Sequence, residues 1–115
     1  MNITKEYDGQ VVLIKLDGKI LSGADANQIH QMIHEELELD HGKFILDMFG
    51  VSLINSSGVG ILIGALTAAR NQTGDLRLVG ISQKVADVLR MMKLDQVFQT
   101  YPTFEDGKQS YLLDS

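Results

Sequence analysis

From Val59 to Ala69 the chain is almost entirely apolar, and this run constrains the fold more than any other. It is well short of the ~18 to 20 residues that span a bilayer, and it is too apolar to be anything but a buried helix. A buried helix needs apolar neighbours, and the sequence supplies them. Phe44-Ile45-Leu46-Asp47 before it and Leu76 to Val79 after it read as short buried strands, and Val11-Val12-Leu13-Ile14 is apolar on both faces, as a central strand would be. Strands alternating with helices at this spacing predict an α/β layer fold with a largely buried sheet. With 115 residues, 44% of them apolar, the chain can bury one core, so residues 1–115 are read as a single domain.

The remaining elements follow from local signals. Ile3 to Tyr7 and Val11 to Leu16 are strand-like, and Asp8-Gly9 between them suits the positive φ of a tight hairpin. Ser22 is placed to cap a helix from about Ala24 to Leu39, in which Ile29, Ile33 and Leu37 recur at helical spacing and Gly42 is the stop. His30, His34, Glu35 and Glu38 are expected on its wet face. A loop through Gly50 leads to Ser52-Leu53-Ile54-Asn55, and Ser56-Ser57-Gly58 opens the apolar helix, closed near Asn71 and Gly74. Ser82 caps a third helix with Val85, Val88, Leu89 and Met92 in one stripe. Val97-Phe98 reads as an edge strand, and Pro102-Thr103 introduces a last helix containing Phe104 and Leu112.

Charge and composition exclude several function classes. Fifteen acidic against ten basic side chains leave a net charge of −5, which argues against a phosphate-backbone binder and hence against direct contact with nucleic acid. Lys84, Arg90 and Lys93 form a modest basic patch, read as helix-dipole complement. The absence of cysteine removes disulfides, thiolate metal sites and cysteine nucleophiles. No basic segment followed by an apolar run opens the chain, so a cytoplasmic protein without membrane insertion is expected. Gly58-Val59-Gly60 and Gly64 have the wrong spacing for a dinucleotide loop. They are read instead, with Ala68, as a small helix face lying close on the sheet. His30 and His34 stand at i, i+4 but lack the His-Glu-x-x-His pattern of a zinc site, and no Gly-x-Ser-x-Gly elbow is present. No metal, cofactor or catalytic residue is expected.

What remains is Asn55-Ser56-Ser57-Gly58 where a strand meets a helix. One serine oxygen can cap the free amides of the first turn, and one is enough. A second hydroxyl at this rigid point is a candidate phosphoacceptor, because a phosphate there would meet a positive helix end and change the local charge by nearly two units.

The run Phe44-Ile45-Leu46-Asp47-Met48-Phe49-Gly50-Val51-Ser52-Leu53-Ile54-Asn55-Ser56-Ser57-Gly58-Val59-Gly60-Ile61-Leu62 resembles the signature of the STAS family (sulfate transporter and anti-sigma factor antagonist). Gly18-Lys19-Ile20, Gly74 with Leu76 to Val79, and Val85 to Phe98 extend the resemblance over nearly the whole chain. It implies a mixed β-sheet of about five strands packed with helices. It also implies a bacterial anti-sigma factor antagonist acting by partner switching. In that scheme the unmodified protein binds an anti-sigma factor that is also a serine kinase and so frees the sigma factor; phosphorylation of the first serine, here Ser56, ends the complex, and a phosphatase restores it. The partner-binding residues implied are Leu21, Asp25, Asn55, Ser56, Ser57 and Gly58. Two positions depart from the family pattern: Asn55 stands where an Asp is common, and Leu21 stands where an acid is frequent, with Asp25 the nearest carboxylate. Both changes remove negative charge from the face expected to meet a kinase.

Two other readings compete. In one the chain is a STAS subunit of a transporter or membrane-lipid transport complex and the serines only cap a helix. In the other Ser56 is an enzymatic nucleophile, for which the motif offers no base.

Overall fold

The computed structural model describes residues 2–20 and 23–113. Strands and helices alternate after an initial hairpin: β1 (Asn2–Asp8), β2 (Val11–Ile20), α1 (Gly23–Glu38), β3 (Lys43–Ile54), α2 (Ser56–Asn71), β4 (Asp75–Val79), α3 (Gln83–Met91), β5 (Gln99–Tyr101) and α4 (Phe104–Leu113). The strands form one five-stranded sheet in the order β1-β2-β3-β4-β5, with β1 antiparallel to β2 and the other neighbours parallel. Pairing in the hairpin continues to Asp8 and Val11, so its turn is Gly9-Gln10 rather than Asp8-Gly9. Gly9 has φ +60°, which only glycine adopts without strain.

Side-chain alternation assigns the two faces. Val12, Ile14, Phe44, Leu46, Leu76 and Leu78 pack with Ile29 and Ile33 of α1, with most of α2, and with Val85 and Leu89 of α3. The opposite face is smaller. There Val11, Leu13, Ile45 and Val79 lie beneath Tyr111 of α4, whose hydroxyl donates to the Phe44 carbonyl at 2.7 Å. As expected for central strands buried on both sides, residues 11–14 and 44–46 are inaccessible or nearly so.

Several expectations need correction. β3 is twelve residues long, where a four-residue strand and a loop were expected. Its outer half pairs with the extended end of β2 through two register shifts, between Lys15 and Asp17 and between Gly18 and Lys19. Each places an extra β3 residue opposite β2, which breaks the period-two pattern that marks a strand in sequence. β5 begins at Gln99, opposite Arg77, and not at Val97-Phe98; Val97 closes a turn onto Leu94 while Phe98 is spent on the core.

The Gly60, Gly64 and Ala68 face does not lie on the sheet. Gly60 is exposed, with nothing within 4 Å of where a Cβ would sit, while Gly64 faces the His30 ring of α1. A helix apolar nearly all round does not reveal its phase in sequence, and α2 turns Val59, Leu62 and Ala65 inward instead. His30 is therefore half-buried between helices, 3.3 Å from the Ile61 carbonyl, whereas His34, Glu35 and Glu38 are exposed as expected.

Sequence reading passed over Glu36, which is fully buried. Its carboxylate accepts from the Tyr7 hydroxyl and pairs with Lys5 and His41, each at 2.9 Å. Burial alone would raise its pKa; the donations from Tyr7, His41 and Lys5 outweigh that and hold it at about 2. The cluster ties the end of α1 to β1.

Candidate functional site

β3 ends at Ile54 and α2 begins at Ser56, so Asn55 is the junction. Its backbone is extended, at φ −115° and ψ −175°, and its side-chain oxygen accepts from the Gly58 amide at 2.9 Å. Asn55 is thus the cap, a role expected of a serine. Asparagine satisfies the first-turn amides as well as serine does, and the first helical bond, from Val59 N to the Asn55 carbonyl at 2.9 Å, fixes Asn55 as the residue just outside the helix. Both serine hydroxyls are then surplus to the cap. Ser56 and Ser57 are exposed, and neither hydroxyl makes a hydrogen bond among the described residues.

Gly58 is buried, and its reason is close approach. A Cβ on it would lie 2.1 Å from the Ile20 carbonyl oxygen and 2.7 Å from Ile54 Cγ1. The first turn of α2 is thereby pressed backbone to backbone on the end of β2. This brings Asn55, Ser56 and Ser57 beside the point where β2 leads toward α1. Leu21 lies outside the described residues; Asp25 is half-buried in the first turn of α1. No acidic residue occupies the first turn of α2, and Arg70 sits in its last turn, so the partial positive charge of the helix N-terminus is not offset by a side chain.

The arrangement is an exposed hydroxyl at a helix start, with a preformed positive end beneath it and no base hydrogen-bonded to it among the described residues. It can receive a group that another molecule transfers, and it can hold an anion once transferred. A cavity lies elsewhere, at the other end of the parallel strands between Tyr7, His41, Lys43 and Thr73, and none of Asp25, Asn55, Ser56, Ser57 and Gly58 lines it.

The STAS domain family model matches residues 2–107. The chain belongs to the STAS family. A Thermotoga maritima protein named as an anti-sigma factor antagonist is 25% identical over 99 residues, covering 85% of this STAS chain and 88% of its own length. Among solved structures, an anti-sigma factor antagonist from the same organism superposes with a TM-score of 0.84 at 21% identity, covering 94% of this chain and 92% of the other. The anti-sigma factor antagonist SpoIIAA superposes in its unphosphorylated form with a TM-score of 0.71 at 20% identity (96% and 97% covered). The phosphorylated form of the same Bacillus protein gives 0.72 at 20% identity (96% and 99% covered). A sulfate transporter family protein from Wolinella succinogenes gives 0.80 at 17% identity, with 96% and 93% covered. These superpositions establish the STAS fold. No helix of the described residues is long and apolar enough to cross a membrane.

Proposed function

We propose that this STAS chain is a cytoplasmic anti-sigma factor antagonist that works by partner switching. In its unphosphorylated form it binds an anti-sigma factor that is also a serine kinase, and so frees the sigma factor; phosphorylation of Ser56 ends the complex and a serine phosphatase restores it. The chain is then a substrate and a switch rather than an enzyme. The observation that carries this reading is the hydroxyl of Ser56, exposed at the start of α2 and released from structural duty because Asn55 caps the helix. Asn55, Ser57 and Gly58 build the same turn, and Leu21 and Asp25 on the β2–α1 side complete the proposed partner face. The names of its relatives support the same role. Incubating the protein with ATP and a candidate anti-sigma factor kinase of its own organism, followed by phosphosite mapping, tests the reading: label on Ser56 is expected, and no label on either natural protein or Asn55→Asp refutes it.

The fold likeness to a sulfate transporter family protein favours a second reading, a subunit of a transport complex with no phosphoswitch. It predicts a partner whose binding is indifferent to Ser56→Asp.

A further inference from the structure

The cavity at the amino ends of the parallel strands has a volume of ≈ 830 Å³, within the roughly 300 to 1,000 Å³ of small-molecule sites. It opens between the hairpin turn at Gly9-Gln10 and the two connections that lead from α1 into β3 and from α2 into β4. Both connections close in the same way. His41 N donates to the Glu36 carbonyl and Asp40 N to the Leu37 carbonyl, and Gly74 N and Thr73 N repeat the pair on the Ala69 and Arg70 carbonyls. That closure needs one left-handed residue, for which glycine is usual. Asp40 at φ 62° and Thr73 at φ 63° hold those positions instead, and both line the cavity. Strained backbone that keeps a side chain where glycine would be easier is commonest at functional sites.

Most charges around the cavity are balanced. Glu36 is paired with Lys5 at 2.9 Å, and Asp75 with Arg70 at 3.2 Å and Arg77 at 3.5 Å. Two charges are not. Among the described residues the exposed Asp40 carboxylate makes no hydrogen bond or ion pair, and Lys43 Nζ meets only the neutral Gln10 side chain, at 3.2 Å. Although both line the cavity, they do not pair with each other. His41 shows what the Asp40 side asks for. Its Nδ1 lies 2.9 Å from Glu36 Oε2, and that ionised carboxylate takes the Nδ1 hydrogen, which leaves Nε2 of the neutral ring as a bare acceptor. The C-terminus of α1 ends here too, with no basic residue in its last turn to offset its partial negative charge. Asp40, His41 and this helix end favour a positively charged donor, whereas Lys43 and the Gln10 amide favour a carboxylate. Leu37 and the Tyr7 ring, set edge-on to His41 with centroids 5.7 Å apart, add an apolar wall.

We infer that this cavity binds a small zwitterion, a free α-amino acid with an apolar side chain. Its ammonium group lies on Asp40 and His41, its carboxylate on Lys43 and Gln10, and its side chain against Leu37 and Tyr7. The site is at the opposite end of the sheet from Ser56 and does not depend on the partner-switching reading.

The test is titration calorimetry of the natural protein with L-leucine and L-phenylalanine, and with phenethylamine and hydrocinnamate, which keep one charge each. Saturable binding of at least one of the amino acids is expected, with both singly charged probes weaker by about tenfold or more. Asp40→Gly and Lys43→Gln should each weaken amino-acid binding by about tenfold or more, while Lys84→Gln, an exposed cation on α3, stays within about twofold of the natural protein. Asp40→Gly also separates a binding role from a structural one. Because glycine relieves the φ of 62°, its thermal melt should rise even as binding is lost. If Lys43→Gln fails to fold by circular dichroism, Asp40→Gly decides alone. No saturable binding of either amino acid, unchanged affinity in the folded cavity variants, or a singly charged probe that binds as tightly as the amino acids overturns the site.

Discussion

Replacing Gly58 by alanine adds one carbon, and the structure says where it goes. The new Cβ would lie 2.1 Å from the Ile20 carbonyl oxygen, 2.7 Å from Ile54 Cγ1 and 3.0 Å from the Ile20 carbonyl carbon. Two of those three atoms are backbone, so the clash cannot be relieved by a rotamer; α2 has to lift off the end of β2 by more than 1 Å, roughly the gap to an ordinary ~3.5 Å contact. Overpacking of this kind costs ~1 to 3 kcal/mol, and here the rigid neighbours put it at the upper end. Alanine returns up to ~1 kcal/mol of helix propensity, leaving a net loss of about 2 kcal/mol. For a domain of this size that is a fall of roughly 8 to 12 °C in Tm. The control is Gly60→Ala, two residues along the same helix, where nothing stands within 4 Å of the added carbon; it should raise stability by ~0.5 to 1 kcal/mol. Urea titration of both variants, read by far-ultraviolet circular dichroism, measures the difference. If Gly58→Ala is as stable as the natural protein, the backbone contact between α2 and β2 that shapes the candidate site is wrong.

Three further predictions concern other parts of the molecule. Glu36 has a folded pKa of about 2 against an ordinary 4.5, so its contribution is present above the ordinary value and is lost as pH falls through the folded one; allowing for partners that reach water, Glu36→Gln should cost ~1 to 2 kcal/mol at pH 7, with the gap to wild type closing near pH 2 in acid-unfolding curves. Thr73 is β-branched yet sits at φ +63°, so Thr73→Gly should stabilise by ~0.5 to 1 kcal/mol, and a lower melting temperature would contradict that. Asn55→Ala should lose a cap of ~1 kcal/mol, while Asn55→Asp should keep it and add ~0.3 to 1 kcal/mol from the helix dipole, a gain that thermal melts at rising salt should show shrinking.

How much of this was legible depends on the kind of signal. Val11 to Ile14, Phe44 to Leu46 and Ile29 with Ile33 announced their elements because their spacing follows strand or helix geometry directly. The long β3 did not, because its shifted register destroys alternation from Met48 onward. Gly60 and Gly64 misled for a related reason: in a helix with little polar contrast, spacing shows that residues share a face but not which face that is. Glu36 was hidden because two of its donors, Lys5 and Tyr7, come from a distant segment, and one acid among several, beside Glu35, Glu38 and Asp40, reads as solvated. At the candidate site the order Asn-Ser-Ser-Gly drew attention to a helix cap with a spare hydroxyl, but the expected serine cap is replaced by Asn55, because a strand that runs to Ile54 makes Asn55 the first residue outside the helix. That Gly58 is required by the Ile20 carbonyl needed the fold, since no local rule places β2 against the first turn of α2.

The most direct test of the switch is the affinity of one partner for three forms of the protein. A phosphate on Ser56 should be tolerated within the chain, where the helix amides can hold it, but should bring nearly two negative charges into a desolvated contact on a protein already at −5. Titration calorimetry of the anti-sigma factor kinase should therefore find Ser56→Ala binding like the unmodified protein, and Ser56→Asp weaker by at least the ~2 to 5 kcal/mol of an unpaired interfacial charge. The phosphorylated protein should not bind at all, while circular dichroism shows all three folded. Equal affinities for Ser56→Ala and Ser56→Asp would remove Ser56 from the interface and contradict the switch.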